Sequence, residues 1–408
     1  MFKRFKENTT EIKNLEELLR PKFPNCKILK HDVTPLTELG ENFGSEILKI
    51  DITIEENGSE KVIPSVGKMI PPTEFQMEIF NTQQTFKNEI GFYAEIVPTL
   101  QEFQRENGIE VAEYFSKFYA ARLSLDPKSE VVDLDAILIM ENLKVDGFGN
   151  IDRHKGFDLD MTKKVLSTLA NFQATLVALR TKKPELFNSK VKPHLTEWQG
   201  IPPVADIDPI LRENPRTAAL IPRVKRLLSK NKLKKFTETW ATITHNDFWV
   251  NNIMIKESNG KFEGLKLIDF QVIDYGSPLI DVLFFLFDSV QVSVLQYHFD
   301  KLLKYFYNEF IEVLQGFKID TSEFTEESFQ IEVNQQAPRE VHHSLGMLQI
   351  ILAPKGPPKI PGKINMPSDQ NPSDSNGNVT SPIPFTVPVA MKDKIWFMVE
   401  EAAKRNWI

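Results

Sequence analysis

The decisive stretch is His245-Asn246-Asp247-Phe248-Trp249-Val250-Asn251-Asn252-Ile253-Met254, followed by Leu267-Ile268-Asp269-Phe270-Gln271. Between them two short apolar runs, Ile253–Lys256 and Leu265–Ile268, flank a Ser258-Asn259-Gly260 turn, which predicts a small antiparallel hairpin. Asn252 sits just before its first strand and Asp269 just after its second. Pairing at a strand spacing of about 5 Å brings those two ends together, so an amide oxygen and a carboxylate converge. Hard oxygen ligands in small number suit Mg²⁺, which keeps waters and takes the rest of its shell from phosphates. Asp247 lies on the loop that enters the same hairpin.

That layout suits phosphoryl transfer. One Asp receives or orients the proton of an attacking hydroxyl, while an Asn and a second Asp hold the metal that neutralises the phosphates. His-x-Asp-x-x-x-x-Asn followed by Asp-Phe is also the spacing of a kinase catalytic loop, with Asn246 in place of the protein-kinase residue between His and Asp. Taken singly these residues say little, because a buried Asp capping a turn is commoner than a catalytic one. Spacing and hairpin together select Asp247 as catalytic and Asn252 and Asp269 as metal ligands. His245 joins the catalytic set, either bracing the loop or moving a proton.

A kinase reading predicts further parts upstream. A glycine-containing phosphate loop is found in Gly40-Glu41-Asn42-Phe43-Gly44-Ser45, with Gly40, Asn42 and Ser45 as candidate contacts. Lys68 follows Val66-Gly67 on a predicted third strand, and Glu89 flanks the apolar face of the next helix, where it can hold that lysine. The run Ile139-Met140-Glu141-Asn142-Leu143 supplies an adenine hinge, with Glu141 and Leu143 as contacts. The nucleotide is therefore expected to be ATP with Mg²⁺.

Composition sets the outer bounds. The chain has 408 residues, 41% hydrophobic and 26% charged, enough for a sizeable core. Its 49 Lys and Arg against 56 Asp and Glu give a net charge of −7, which argues against a nucleic-acid partner. Cys26 is the sole cysteine, so no intrachain disulfide or Cys-ligated cluster exists. The greasiest run, Val282–Phe287, is bounded by Asp281 and Asp288 and reads as a buried helix, not a membrane span. With no signal-like apolar run near the start, a cytoplasmic, non-membrane protein is expected; the oligomeric state is unreadable.

Along the chain, Asn14–Leu19 predicts a short helix stopped by Pro21. Ile50, Ile52 and Ile54 share one strand face, Asn57-Gly58 makes a hairpin turn, and Lys61–Ile70 returns, with Pro64 suggesting an edge or a bulge. Phe86, Ile90, Tyr93, Val97 and Leu100 form one helical face that Pro98 divides or kinks. Ala136–Met140 is a buried strand. Beyond residue 150 the texture turns helical, with Val165, Leu169, Phe172, Leu176 and Leu179 on one face and a closing amphipathic helix at Lys392–Trp407. Residues 354–388 hold nine of the 26 prolines and read as a loop insertion.

These residues resemble the insect ecdysteroid-kinase-like, or CHK-kinase-like, family, within the wider choline kinase and aminoglycoside phosphotransferase superfamily. The carriers are the 40–45 loop, Lys68, Phe86…Glu89…Phe92-Tyr93…Pro98, Glu141-Asn142-Leu143, residues 245–254, Asp269-Phe270-Gln271 and Asp281 in Pro278-Leu279-Ile280-Asp281-Val282. The likeness spans roughly residues 30–350. It implies an α+β, protein-kinase-like two-lobed fold: a small antiparallel-sheet N-lobe with one packed helix (1–142) and a larger, mostly helical C-lobe bearing the catalytic hairpin (143–408). It also implies ATP-dependent phosphorylation of a small-molecule hydroxyl, in some members on an ecdysteroid. Asp247 is then the base, Asn252 and Asp269 hold Mg²⁺, Lys68 meets the ATP phosphates, and Asp281 braces the loop.

Three positions depart from the family pattern: Glu38 stands at the first glycine of the phosphate loop, Asn246 where Gly is usual, and Gln173 where His is common. The alternatives are a pseudokinase or small-molecule carrier, for which Glu38 speaks, and a choline- or ethanolamine-type kinase. A protein kinase fits less well, since little chain separates Asp269 from Pro278 for an activation loop.

Overall fold

A computed structural model describes residues 12–36, 45–71, 73–197, 201–229, 235–353 and 387–408. The chain forms two compact units. The first comprises Met1–Gly149, Glu185–Thr196 and Met254–Ile273; the second comprises Asn150–Pro184, Glu197–Ile253 and Asp274–Ile408. The proposed 1–142 and 143–408 lobes are continuous in sequence, whereas the compact units are not. Most of the predicted catalytic hairpin lies in the first unit.

In the first unit a five-stranded antiparallel sheet is built from β1 (Lys27–Pro35), β2 (Glu46–Glu56), β3 (Ser59–Met69), β4 (Phe118–Arg122) and β5 (Ile137–Glu141), in the order β1-β2-β3-β5-β4. Asn57 and Gly58 join β2 to β3 with φ of 54° and 76°, the pair of positive values that a tight hairpin turn demands. Ile50, Ile52 and Ile54 alternate inward against Ile137 and Ile139, with Leu15 and Leu19 of the Leu15–Leu19 helix in the same core. β1 and β4 carry no strong alternation and were not foreseen.

Pro64 does not mark an edge, since β3 lies in the middle of the sheet. The pairing of β3 with β5 begins at Ser65, one residue further on, and the Pro64 carbonyl accepts the Asn142 N–H beyond the end of β5. The N and O of a strand residue face the same neighbour, so the missing N–H falls where β5 has already stopped. Pro98 acts as expected, with a particular geometry. The Thr82–Gly91 helix runs into a π-helical turn at Phe92–Ile96 before resuming as Val97–Glu106, with Pro98 in its first turn. The Val97 N–H reaches back to the Phe92 carbonyl, so the wider turn keeps the backbone bonded ahead of the proline.

The predicted hairpin forms from Ile253–Ser258 and Lys261–Leu267. Lys266 fastens it within the first unit: its Nζ donates to the Glu113 and Phe115 carbonyls at 2.6 and 3.0 Å, and the Leu267 N–H donates to the Tyr114 carbonyl at 2.8 Å.

The second unit is helical. The Leu159–Lys182 helix, capped by the Asp158 side chain on the Met161 N–H, buries Val165, Leu169, Phe172, Leu176 and Leu179 as predicted, and packs on Val292–Gly316. The Leu279–Ser289 helix is buried throughout and lies against Glu326–Ile351, while Val389–Lys404 closes the unit. A two-stranded pairing of Thr242–Thr244 with Asp274–Gly276 brackets the candidate catalytic loop. No helix among the described residues is long and apolar enough to cross a membrane. Gly40, Asn42 and Glu38 lie outside the described residues, as does 354–386 of the proline-rich stretch; Ser45 directly precedes β2.

Gly156 is pressed against the buried helix. Its φ is +71°, and a Cβ there would stand 2.6 Å from the Ser289 carbonyl oxygen. Gly156→Ala is therefore expected to cost about 1–3 kcal/mol, from left-handed strain plus a backbone clash, as measured by urea unfolding.

Candidate active site

In the first unit, three charged residues from distant segments meet. Lys68 on β3 places Nζ 2.6 Å from Glu89 Oε2, on the Thr82–Gly91 helix, and 2.7 Å from Asp269 Oδ1, just beyond the hairpin. Lys68 and Glu89 are 4% and 1% exposed, so the pair is withdrawn from water, where an unbalanced charge would be costly. Burial works to lower the Lys68 pKa, but the Asp269 and Glu89 carboxylates outweigh it and hold the ammonium well above the ordinary lysine value. The Glu89 carboxyl is pushed up to about 7, by burial first and by Asp269 as well, against the pull of Lys68.

Asp269 is held in place by its neighbour. Phe270 stacks on Phe92 with centroids 3.7 Å apart and rings inclined by 8°, and meets Phe115 and Tyr93 edge-on at 5.6 and 6.1 Å. Phe92 and Tyr93 open the π-helical turn. Asp269 itself has φ +68°, a conformation that short polar side chains tolerate better than most.

The hinge candidate also belongs to this unit. The Glu141 side chain accepts the Lys117 N–H at 2.9 Å and pairs with Lys117 Nζ at 3.1 Å, so it is a structural clip between β5 and the segment before β4. The backbone N–H groups of Glu141 and Asn142 bond to the Lys117 and Pro64 carbonyls, and the Leu143 carbonyl accepts from Asp146 and Phe148. The Glu141 carbonyl and the Leu143 N–H take no part in those bonds.

In the second unit the candidate catalytic loop hangs from one carboxylate. Asp281 accepts the His245 N–H through Oδ2 at 2.8 Å and the Asn246 N–H through Oδ1 at 2.9 Å, and Gln173 Nε2 donates to Oδ2 at 2.8 Å. Gln173 thus serves as the donor to Asp281. Asn246 has φ +60°, which explains a residue that tolerates the left-handed region where glycine would otherwise stand. His245 is wholly buried, and its Nδ1 faces the Asp247 N–H at 3.3 Å, a bracing position. Asn252 Nδ2 donates to the Asp247 carbonyl at 2.8 Å and to Asp247 Oδ2 at 2.9 Å. With its nitrogen so engaged, Asn252 keeps its amide oxygen as the candidate ligand atom, of the donor type Mg²⁺ prefers. Val250 N–H donates to Ser289 Oγ at 2.9 Å.

Of the predicted residues, Lys68, Glu89 and Asp269 come together, and so do His245, Asp247 and Asn252. Lys266 and Ser289 were missed. Lys266 had a signal, a lone cation between Leu265 and Leu267; Ser289 had none.

A buried lysine held by a helix glutamate, an Asp-Phe pair after a hairpin and an Asp–Asn loop are the parts that the kinase reading of the sequence expects, and the family match makes the class that of a small-molecule kinase-like phosphotransferase. The sequence matches the ecdysteroid kinase-like family over residues 39–199 and 204–319, and the chain belongs to that family. Comparison with curated proteins gives no match. Among solved structures it is similar to a GDP complex of wild-type aminoglycoside 2'-phosphotransferase-IIIa (16% identity, 81% of this chain and 100% of that one, TM-score 0.35). It is also similar to a GDP and kanamycin complex of a phosphotransferase of that kind (15% identity, 79% and 98%, TM-score 0.35).

Two outcomes are expected. Since the folded-state value for Glu89 of about 7 exceeds the ordinary 4.5, its proton contributes stability fully present below pH 4.5 and lost as pH rises through 7. Urea unfolding at stepped pH should show that decline, and Glu89→Gln should flatten it. Asn246→Gly should leave stability within about 0.5 kcal/mol of the parent, whereas Asn246→Val should cost about 1–3 kcal/mol.

Proposed function

We propose that the protein transfers the γ-phosphoryl group of ATP, with Mg²⁺, to a hydroxyl of a small, lipophilic metabolite of the ecdysteroid kind, in the cytoplasm. The observation that carries this reading is Lys68, buried between Glu89 and Asp269. A merely structural ammonium needs one counterion; the second carboxylate, left about a third exposed at its side chain, belongs to a site that receives charge.

In this reading Lys68 meets the ATP phosphates while Glu89 keeps it aimed, and the Glu141 carbonyl and Leu143 N–H, spaced i and i+2, take the adenine edge. Asn252, through its amide oxygen, and Asp269 hold the magnesium. Magnesium, when bound, neutralises charge on the phosphates and lowers the cost of transfer. Asp247, its Oδ2 steadied by Asn252, receives the proton of the acceptor hydroxyl as that oxygen attacks phosphorus. The lipophilic acceptor rests on the family.

The test is a phosphotransfer screen with MgATP and pooled ecdysteroids, choline, ethanolamine, sugars and aminoglycosides, read by mass spectrometry. A phosphorylated ecdysteroid is expected. Asp247→Asn should lower kcat by about 10²–10⁴ with an unchanged melting curve, and unaltered turnover would rule Asp247 out as the base. Asp269→Ala should abolish magnesium-dependent ATP binding by calorimetry. Phosphocholine as the sole product would move the assignment to a choline-type kinase.

A further inference from the structure

The last turn of the Leu279–Ser289 helix is sealed by three segments from elsewhere in the second unit. The carbonyls of Phe287 and Val290 accept Lys394 Nζ at 3.2 and 2.6 Å, and that of Ser289 accepts the Phe157 N–H at 2.8 Å. Asp288, in the same turn, is wholly buried and accepts from Ser344 Oγ. Its other oxygen, Oδ1, has no hydrogen-bond partner. From this turn Ser289 Oγ takes the Val250 N–H, midway between Asp247 and Asn252. Lys394 and Ser344 lie on the Val389–Lys404 and Glu326–Ile351 helices, both beyond the residues that match the family.

Lys394 is 5% exposed, and burying an ammonium is unfavourable unless its hydrogen bonds are made. Burial pulls it down to about 8 despite Asp288, and burial likewise pushes the Asp288 carboxyl well above its usual range. An apolar side chain of similar length would fill the same space at lower cost. What the lysine adds to such a side chain is a set of donors for carbonyls that a helix end leaves without partners, together with positive charge at the negative end of the helix dipole.

We propose that Lys394 is a positioning residue for the catalytic loop: by tying down the Phe287 and Val290 carbonyls it fixes the turn that presents Ser289 Oγ to Val250, and through Val250 the Asp247–Asn252 segment. Its importance for catalysis rests on the function proposed above; the positioning itself does not, so the two are tested separately.

Hydrogen–deuterium exchange of the peptide covering 246–254 reads the positioning without any substrate, with the 159–182 helix as internal control. In Lys394→Met, exchange of 246–254 should rise about tenfold while the control helix is unchanged. Ser289→Ala should produce the same rise, and the double variant no more than either single one, because both break the same link. If Lys394→Met does not fold, Lys394→Gln, which keeps amide donors, carries the comparison and should show a smaller rise. Unchanged exchange at 246–254, a rise spread equally over the control helix, or additive effects in the double variant would each overturn the proposal. Basal MgATP hydrolysis gives the catalytic arm: in Lys394→Met, kcat should fall about three- to tenfold with KM for MgATP unchanged. A wild-type protein without hydrolysis or phosphotransfer would count against the kinase reading and leave the exchange result to decide the positioning.

Discussion

One buried ammonium organises the first unit. Lys68 arrives on a central strand, where its neighbours are apolar; the buried Glu89 carboxylate balances its charge, and Asp269 reaches the same ammonium as a second, more exposed partner. Each carboxylate depends on further structure. Glu89 needs the helix that follows the sheet to run at a fixed rotation. Asp269 needs Phe270 seated on Phe92, and Phe92 takes that position from a π-helical turn placed just ahead of Pro98. A proline that looks like a helix breaker is thus accommodated by a widened turn whose aromatic residues dock the metal-ligand candidate.

The second unit solves a different problem by the same means. Its candidate catalytic loop has little regular structure, so backbone N–H groups must find partners elsewhere. Asp281 supplies two, Ser289 a third, and both sit on one helix buried on every side. A loop tied to a rigid helix at both its start and its middle holds Asp247 and Asn252 in register without strand pairing of its own. Gln173, from a second helix, fixes the Asp281 carboxylate in turn.

Much of this was legible. The β2–β3 hairpin followed from isoleucine alternation and Asn57-Gly58, the Leu159–Lys182 helix from its apolar face, and the two site clusters from motif spacing. What escaped were features whose cause is tertiary. β1 and β4 gain their strand character from sheet neighbours more than from their own pattern. Pro64 was misjudged because its tolerance depends on where β5 stops, which local sequence does not contain. Asp288 follows an apolar run and could have been flagged as an ionisable residue at the end of a buried helix, whereas Lys394 stands in a charged Lys392-Asp393-Lys394 run that gives no such signal. Their convergence on one helix turn from 106 positions apart lay beyond any local pattern.

The hairpin fastened by Lys266 has a consequence for how the chain is made. The first unit is incomplete until residues 254–273 have been synthesised, long after Gly149 has emerged. Until then Lys68 has only one of its two carboxylates, and the carbonyls of Glu113 and Phe115 have no lysine to meet. Contacts of such long sequence separation slow folding, because a large loop must close before they repay its entropy. The sheet can form early from its β2–β3 hairpin, but the residues that make it a site must wait for two thirds of the chain.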